Sequence, residues 1–429
     1  MGRILVLLPL FFITTATSAL AQGEKKWLKY RIATLSAGNM HGRGYVSKGG
    51  DKAAFYIRRN FTESGLLPFD ADSTYYQPYT FPVNTFPAQV TLKLNRKTME
   101  PGKDFLTDAG NTSYHTNKIK LRKLDLSAVK DSAAWQAIKQ DIDSGKAYFV
   151  KGSDTLSKYL KLSLRTFADA MPKAVFVVPK HGKMTWLVRT DTIAAHILYV
   201  EDTVLPRRVR RAAIHTDSKF EPAFKTQNVM AYVLGTEQPD SFIVFTAHYD
   251  HLGLMGKEAL FPGAHDNASG TSLVLYLAGY FAQHPQRYSV AFMLFSGEEA
   301  GLLGSKYYAQ HPVFPLEKIR FVVNLDMTGD ATNGITVVNG DTRAAEFNLL
   351  DSINKKSQYL PDIKKREQTR NSDHYSFSKE GVPAVFIYGN GTKPFYHDIY
   401  DVAKELSLQN IDGLAKLLID FTGKLAMGE

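Results

Sequence analysis

Short apolar segments alternate with helical patterns from about residue 226 onward, and this alternation is the feature that most constrains the fold. The apolar segments span residues 242–247, 290–295, 321–325, 335–338 and 382–388. The helical patterns between several of them begin near Ser269, Glu298, Ala344 and Ser372. Strands that alternate with helices are typical of a largely parallel sheet covered on both faces. The sequence therefore predicts an α/β fold built on a mostly parallel central sheet flanked by helices.

The segment from about residue 95 to 215 does not follow this pattern. Its apolar runs, at 147–150, 174–178 and 197–200, are short and separated by charged loops. No constellation of metal-binding side chains is apparent within it. We interpret it as an inserted, smaller mixed α/β domain of short strands with one or two helices.

The residues before this insert have stronger local patterns. An amphipathic pattern predicts a helix over 51–62, and alternation over 76–94 predicts one or two strands. The expected organisation is a first part of the main domain at 22–94, the insert at 95–215 and the remainder of the main domain at 216–429.

The first 21 residues have the features of a secretory signal peptide. Arg3 supplies a positive charge, residues 4–13 form a short apolar run, and Ala19 and Ala21 are the small residues that a signal peptidase reads. The apolar run is too short to span a bilayer. The chain has no cysteine, so an exported form would depend on its core rather than on disulfides. We expect cleavage after Ala21 and a location in the bacterial periplasm or outside the cell, with a signal anchor as the alternative.

The positive charge of the chain does not indicate a nucleic-acid partner. The formal net charge is +10, and the densest basic cluster comprises Arg207, Arg208, Arg210 and Arg211. No aromatic residues are interleaved with these arginines to form a surface on which bases stack. We interpret the cluster as a solvated surface, and expect no nucleic-acid partner and, after signal cleavage, no membrane partner.

Histidine and acidic residues gather where the apolar segments end and in two nearby loops. They are His248, Asp250, His265, Asp266, Glu298, Glu299, Asp326, His397 and Asp401. Singly, each has an ordinary explanation as a helix cap, an acidic first turn or a buried histidine. Together, imidazoles and carboxylates without a thiolate are the ligand set of catalytic zinc. Because the carboxyl ends of parallel strands meet at one edge of a sheet, we expect a metal site there.

Charge balance favours two metal ions over one. Asp266, Glu299 and Asp326 would supply three negative charges, and a shared hydroxide a fourth, against the four positive charges of two Zn²⁺ ions. His248 and His397 would bind as neutral ligands. A shared carboxylate and hydroxide would hold the ions about 3.5–4 Å apart, as in other two-metal sites.

The motifs that carry these residues resemble the co-catalytic di-zinc aminopeptidase family, peptidase family twenty-eight. They are TAHYDHLG (246–253), PGAHDNASG (262–270), FSGEEAGLLGS (295–305), NLDMTGD (324–330), SDHYSF (372–377) with GVPAVF (381–386), and YHDIYD (396–401). Gly-Arg-Gly at 42–44 resembles the family's first helix region. Residues 145–150 and 173–178 resemble, more weakly, the protease-associated domain inserted in many members. The resemblance implies the three-layer fold of zinc peptidases.

Carried over residue by residue, the resemblance assigns five metal ligands. His248 and Asp326 would bind one zinc ion, Glu299 and His397 would bind the other, and Asp266 would bridge the two. The family's fold also implies a cis peptide bond directly after the bridging aspartate.

The resemblance also implies a general base and groups that support the reaction. Glu298 would take the proton of the bridging water, so that hydroxide attacks the scissile carbonyl, and would later protonate the leaving amine. The hydroxyl of Tyr396 would help to stabilise the oxyanion, with simple packing as the alternative.

Further polar residues are expected around the ligands. Asp250 and Asp401 would each accept the second ring N–H of a ligand histidine, with a helix cap as the alternative for Asp401. His265 stands where many members of the family have aspartate, and we expect it to orient the site without binding metal. Asp373 and His374 are expected in the pocket or behind the ligands.

The function implied by the resemblance is that of an exported zinc aminopeptidase acting on peptide substrates. A carboxypeptidase or dipeptidase on the same scaffold is the alternative, since both chemistries need the same metal ions. Glutaminyl cyclase relatives work with one zinc ion, whereas both ligand sets are complete here. A receptor-like homologue without catalysis predicts eroded ligands, and none is eroded.

Overall fold

The computed structural model describes residues 13–69, 72 and 74–427 of the chain. In chain order its strands are β1 (Tyr76–Thr85), β2 (Val90–Leu94), β3 (Lys97–Met99), β4 (Phe105–Thr107), β5 (Tyr114–Asp125), β6 (Ala147–Lys151), β7 (Val175–Lys180), β8 (His196–Glu201), β9 (Arg211–Thr216), β10 (Lys219–Val233), β11 (Gln238–His248), β12 (Gly253–Met255), β13 (Ala259–Phe261), β14 (Tyr288–Phe295), β15 (Ile319–Leu325), β16 (Ile335–Val338), β17 (Ile363–Arg366) and β18 (Ala384–Gly389). The helices are α1 (Ile13–Leu35), α2 (Gly49–Glu63), α3 (Ser132–Gln140), α4 (Asp154–Leu160), α5 (Leu164–Asp169), α6 (Gly270–Gln283), α7 (Leu303–Gln310), α8 (Ala344–Ser357), α9 (His374–Lys379) and α10 (Ile411–Met427). Short 3₁₀ helices lie at Gly38–Arg43, Asp202–Val204, Leu316–Lys318 and Ala403–Glu405, and a π-type turn at Ala264–Ser269 precedes α6.

The first large sheet has the strand order β1-β10-β14-β11-β15-β18-β16-β17. Its centre, β14-β11-β15-β18, is parallel throughout, whereas β1 and β10 add antiparallel strands at one side. At the other side β16 pairs antiparallel with β18 and parallel with β17. The central strands are almost wholly buried, as expected where helices cover both faces. The predicted α/β fold with a mostly parallel central sheet is confirmed.

A second sheet, of order β3-β2-β9-β5-β6-β7-β8-β4, is built from residues 90–216. The strands predicted over 76–94 divide between the two sheets, because β1 joins the first and β2 the second. The second sheet therefore begins at residue 90 rather than at 95, and it carries α3, α4 and α5, one helix more than the one or two expected. The assignment of this part of the chain to a protease-associated domain stays a prediction.

Helix α1 packs its second half into the main core. Leu28, Ile32 and Leu35 are buried against the core of the first sheet. Of the predicted signal peptide, residues 1–12 lie outside the described residues and residues 13–21 belong to α1. Cleavage after Ala21 would leave the packed half of the helix in place. No helix among the described residues has both the length and the apolar character needed to cross a bilayer.

The helix expected to begin near Glu298 begins later. Residues 298–302 form turns, and α7 starts at Leu303. Gly297 and Gly301 have φ values of 68° and 110°, backbone conformations that a helix does not allow. The prediction was therefore wrong by five residues, and Glu298 and Glu299 lie on a tight turn rather than on a helix.

Candidate metal centre

The central strands of the first sheet end together and deliver polar residues to one edge. His248 is the last residue of β11, Asp326 directly follows β15, and Glu298 and Glu299 lie on the turn after β14. Because β11 lies between β14 and β15, these residues come from three adjacent strands. The structure thus brings them to the carboxyl edge at which a parallel α/β sheet usually holds its functional groups.

The carboxylate of Asp266 lies between two imidazoles. Its Oδ1 is 3.3 Å from Nε2 of His248, and its Oδ2 is 3.2 Å from Nε2 of His397. On one side, His248 Nε2 is also 3.3 Å from Oδ1 of Asp326. On the other side, His397 Nε2 is 3.0 Å from Oε2 of Glu299. Each oxygen of Asp266 therefore belongs to a separate set of three donor atoms.

These separations fit zinc. Donors that surround an ion tetrahedrally at about 2.0–2.1 Å lie about 3.3 Å from one another. All five side chains are buried, and their donor set of two imidazoles and three carboxylates is one that zinc prefers. The metal-ligand assignment stays a prediction, and the donor geometry agrees with it.

Buried polar contacts fix the loop that carries Asp266. The guanidinium of Arg43, which is fully buried, donates to five backbone carbonyls: those of Leu35, Tyr249, Pro262, Gly263 and Asp266. From the other side Asp401 accepts from the backbone N–H groups of His265 and Asp266 at 2.7 and 3.0 Å. Burial lowers the pKa of Arg43 to about 10, so it stays charged at neutral pH. The Asp266–Asn267 peptide bond is cis, as the resemblance implied.

The ligand candidate His397 is held by the second sheet's part of the chain. Its Nδ1 is 3.1 Å from the backbone oxygen of Trp186, and Trp186 N donates to the His397 carbonyl at 2.9 Å. The indole of Trp186 donates to the Thr107 carbonyl at 2.8 Å and stacks on Phe261 at a centroid distance of 5.0 Å. These contacts of Trp186 therefore fix both the backbone and the ring orientation of His397.

Asp250 lies behind His248 and the glutamate turn. His248 Nδ1 is 3.2 Å from the backbone oxygen of Asp250 and 3.7 Å from its Oδ1, so the ring is held chiefly through the backbone. The Asp250 carboxylate accepts from Tyr45 at 2.6 Å and from the N–H groups of Glu298 and Glu299 at 3.2 and 3.4 Å. It positions the turn as well as the histidine.

Asp401 does not have either of the roles expected for it. It was expected to accept a ring N–H of a ligand histidine or to cap a helix at 402–406. Instead its carboxylate accepts hydrogen bonds from the backbone N–H groups of the Asp266 loop. The following 3₁₀ helix at Ala403–Glu405 has no side-chain cap. The ring nitrogen that it was expected to bind, Nδ1 of His397, is hydrogen-bonded to the backbone oxygen of Trp186 instead.

Three of the other expected supporting residues, His265, Asp373 and His374, are buried, whereas Tyr396 is partly exposed. Nδ1 of His251 is 2.6 Å from Oε1 of Glu299. The ring of Tyr396 stacks on that of His397 at a centroid distance of 3.8 Å, and the residue is 45% exposed. Their roles stay predictions.

The two adjacent glutamates are electrostatically different. Burial raises the pKa of Glu298 well above its usual range, and the nearby carboxylates of Glu299 and Asp373 act in the same direction. Burial also opposes ionisation of Glu299, but the imidazoles of His397 and His251 outweigh it and lower its pKa to about 2. Two neighbouring carboxyl groups whose pKa values are shifted in opposite directions suit different roles. The raised pKa of Glu298 suits proton transfer, and the lowered pKa of Glu299 suits a group that stays ionised.

Sequence reasoning missed four residues that hold the site. Arg43 had a signal, since Gly-Arg-Gly matched the family, but no role was inferred for it. Tyr45 and Trp186 had none, because each meets its partner only through the fold. Ser372 donates to Asp326 at 3.0 Å, and its place directly before the noted Asp373 was a usable signal.

Comparison with known proteins finds a similarity to one peptidase family in the part of the chain that carries this site. The model of peptidase family M28 matches residues 228–422. A probable leucine aminopeptidase of Arthroderma otae is 29% identical over 224 residues, which are 49% of this chain and 59% of that protein. Aminopeptidase YwaD of Bacillus subtilis is 27% identical over 206 residues, 45% of this chain and 44% of that protein. The chain thus spans about half the length of these curated relatives, and its similarity to peptidase family M28 lies in residues 228–422.

Solved structures share the fold over nearly the whole chain. A zinc aminopeptidase from Bacillus subtilis has a TM-score of 0.69 at 19% identity and covers 94% of this chain and 95% of its own. An aminopeptidase from Aneurinibacillus sp. strain AM-1 has a TM-score of 0.62 at 20% identity, with 93% of each chain covered. Their coverage extends well beyond the M28 match and includes the second sheet.

The contacts of Asp401 lead to a prediction for metal binding. Replacing Asp401 with Asn removes one of the two acceptors for the N–H groups of His265 and Asp266, so the loop should hold Asp266 less firmly. Outer partners of metal ligands contribute about 10–100-fold in affinity, and we expect a loss of that size for zinc. Competition with a chromogenic chelator measures it. Asp240→Asn, at an exposed residue paired with Lys318, is the control; equal affinities in both variants would contradict the role of Asp401.

Proposed function

We propose that the chain is an exported zinc aminopeptidase that removes residues from the free amino end of peptides. The observation that carries the proposal is the position of the Asp266 carboxylate, with one oxygen beside His248 and the other beside His397. This arrangement suits two ions that share a ligand. The M28 match and the aminopeptidase names of the relatives support the same reaction.

Five side chains would hold the ions. His248 and Asp326 would bind the first, Glu299 and His397 the second, and Asp266 both. Two zinc ions, when bound, activate a water molecule at neutral pH and polarise the scissile carbonyl. The three ligand carboxylates would offset three of the four positive charges of the ions, and Arg43 lies behind the Asp266 loop, bound to carbonyls.

Glu298 is the group we propose as general base. It belongs to the same cluster of donor atoms as His248 and Asp326, all within 4.8 Å of one another. Its raised pKa suits a carboxylate that takes a proton from the attacking water and returns it to the leaving amine nitrogen. The Asp250 carboxylate holds the N–H groups of both glutamates of the turn, so one carboxylate can face the substrate while the other binds metal.

Tyr396 and the insert would shape the substrate end of the site. The Tyr396 ring stacks on that of His397, and we assign to its hydroxyl the role of stabilising the developing oxyanion. Trp186, through its contacts with His397, makes the insert part of the active site. Export is proposed from the signal-like residues 1–21, since the part of α1 that packs into the core lies after the expected cut.

Substrate choice tests the aminopeptidase assignment. Zinc-loaded protein should release residues from peptides with a free amino end at least ten-fold faster than from the same peptides carrying an acetyl block. A chelator should abolish the activity, and zinc should restore it. Equal rates on free and blocked peptides, or release from the carboxyl end, would instead indicate a carboxypeptidase or another peptidase on this scaffold.

Substitution of the two glutamates separates the base from the ligand. Glu298→Gln should keep its zinc content and lose about 10²–10⁴-fold in kcat, the usual contribution of a general base. Glu299→Gln should lose zinc, because an amide is a poorer ligand than a carboxylate. Metal content by mass spectrometry and rates on a free peptide measure both, with exposed Glu380→Gln as control. Zinc loss in the Glu298 variant alone would reverse the assignment.

A further inference from the structure

The second sheet contains a cluster of metal-binding side chains that share no residue with the centre described above. His115 on β5 and His215 on β9 are direct partners across the two antiparallel strands. Their rings stack at a centroid distance of 4.0 Å and an angle of 21°. Asp217, two residues beyond His215, places its carboxylate beside both rings.

The donor atoms of this cluster lie close to one another. Nε2 of His115 is 2.8 Å from Oδ1 of Asp217, and Nε2 of His215 is 3.3 Å from its Oδ2. One donor atom from each of the three residues lies within 4.8 Å of the others. A shared zinc ion needs its donor atoms about 3.3 Å apart, so the atoms that lie furthest apart would approach by up to about 1.5 Å through side-chain rotation when an ion binds.

The surroundings fix the carboxylate and leave the cluster open to solvent. The backbone N–H of Gln89 donates to Oδ2 of Asp217 at 2.9 Å, and Asp217 N donates to the Gln89 carbonyl at 2.8 Å. The side chains of His115, His215 and Asp217 are 51%, 39% and 30% exposed. An ion therefore reaches the site directly from water and keeps water molecules as its remaining ligands.

The cluster lies where the chain crosses between the two sheets. The outward connection runs from the end of β1 at Thr85 to β2, and Gln89 belongs to it. The return connection, residues 217 and 218, leads from β9 into β10. Ser113 and Ser218 exchange hydrogen bonds of 3.0 and 3.1 Å at the same place. An ion bound here would join β5 and β9 to both connections.

We propose that His115, His215 and Asp217 form an auxiliary site for a divalent transition-metal ion of the zinc class, which joins β5 and β9 of the second sheet to the connection that leads into the first sheet. Two imidazoles and one carboxylate select such ions over calcium or magnesium, which prefer oxygen ligands alone. The site was missed in the sequence because its two histidines are 100 residues apart. Two of its three residues lie in the 95–215 segment, in which no such constellation was apparent from the sequence.

Zinc content of matched variants tests the site. At the same micromolar free zinc concentration, His215→Asn and His115→Asn should each bind one ion fewer per chain than the unsubstituted protein. Their peptide hydrolysis should be unchanged, because neither residue belongs to the catalytic centre. The control is His181→Asn, since His181 pairs with Asp202 at 3.1 Å without a second imidazole and should keep the full count.

A measurement on the unsubstituted protein guards against variants that fail to fold. Zinc should slow modification of His115 and His215 by diethyl pyrocarbonate at least ten-fold relative to His181, as mapped by mass spectrometry. Equal zinc counts in the three variants, or equal protection of the three histidines, would overturn the proposal. Neither result depends on the peptidase assignment, because the zinc content of the variants and the protection of the histidines both report on the auxiliary site and not on peptide hydrolysis.

Discussion

The position of the Asp266 carboxylate is the constraint on which the rest of the site depends. A carboxylate can serve two ions only if its oxygens face two separate donor sets, and here each oxygen is 3.2–3.3 Å from a different imidazole. Arg43 holds the carbonyls of the loop and Asp401 holds its N–H groups. A buried guanidinium that binds five carbonyls satisfies acceptors that would otherwise lack partners in the core, which is costly in a dry interior.

The second sheet contributes to the site through the backbone of Trp186. The Trp186 carbonyl is hydrogen-bonded to the ring of His397, and the Trp186 N–H donates to the His397 carbonyl. His397 has a φ of 55°, a backbone conformation that is uncommon for residues other than glycine. Because the indole is anchored to Thr107 and Phe261, a shift of the second sheet would reach His397 directly. The position of His397, a proposed ligand of the second ion, therefore depends on the position of the second sheet. We infer that the junction between the two sheets matters for function.

The fold and the site were predictable from the sequence to different depths. Strand periodicity located β11, β14, β15 and β18, and polar residues at their ends indicated where chemistry would gather. The helix start at Glu298 was misplaced because acidic residues before an apolar run also suit a tight turn with glycines at positive φ. The partner of His397 and the contacts of Asp401 could not be predicted from the sequence, because both depend on how loops that are far apart in sequence pack together. Long separation likewise hid the His115–His215 pair.

The most direct test of the central claim is an anomalous diffraction map recorded at the zinc edge from crystals of the zinc-loaded protein. The account predicts two peaks about 3.5–4 Å apart, one on each side of the Asp266 carboxylate, with His248 and His397 on opposite ions. A single peak at this place, or a pair that Asp266 does not bridge, would contradict it.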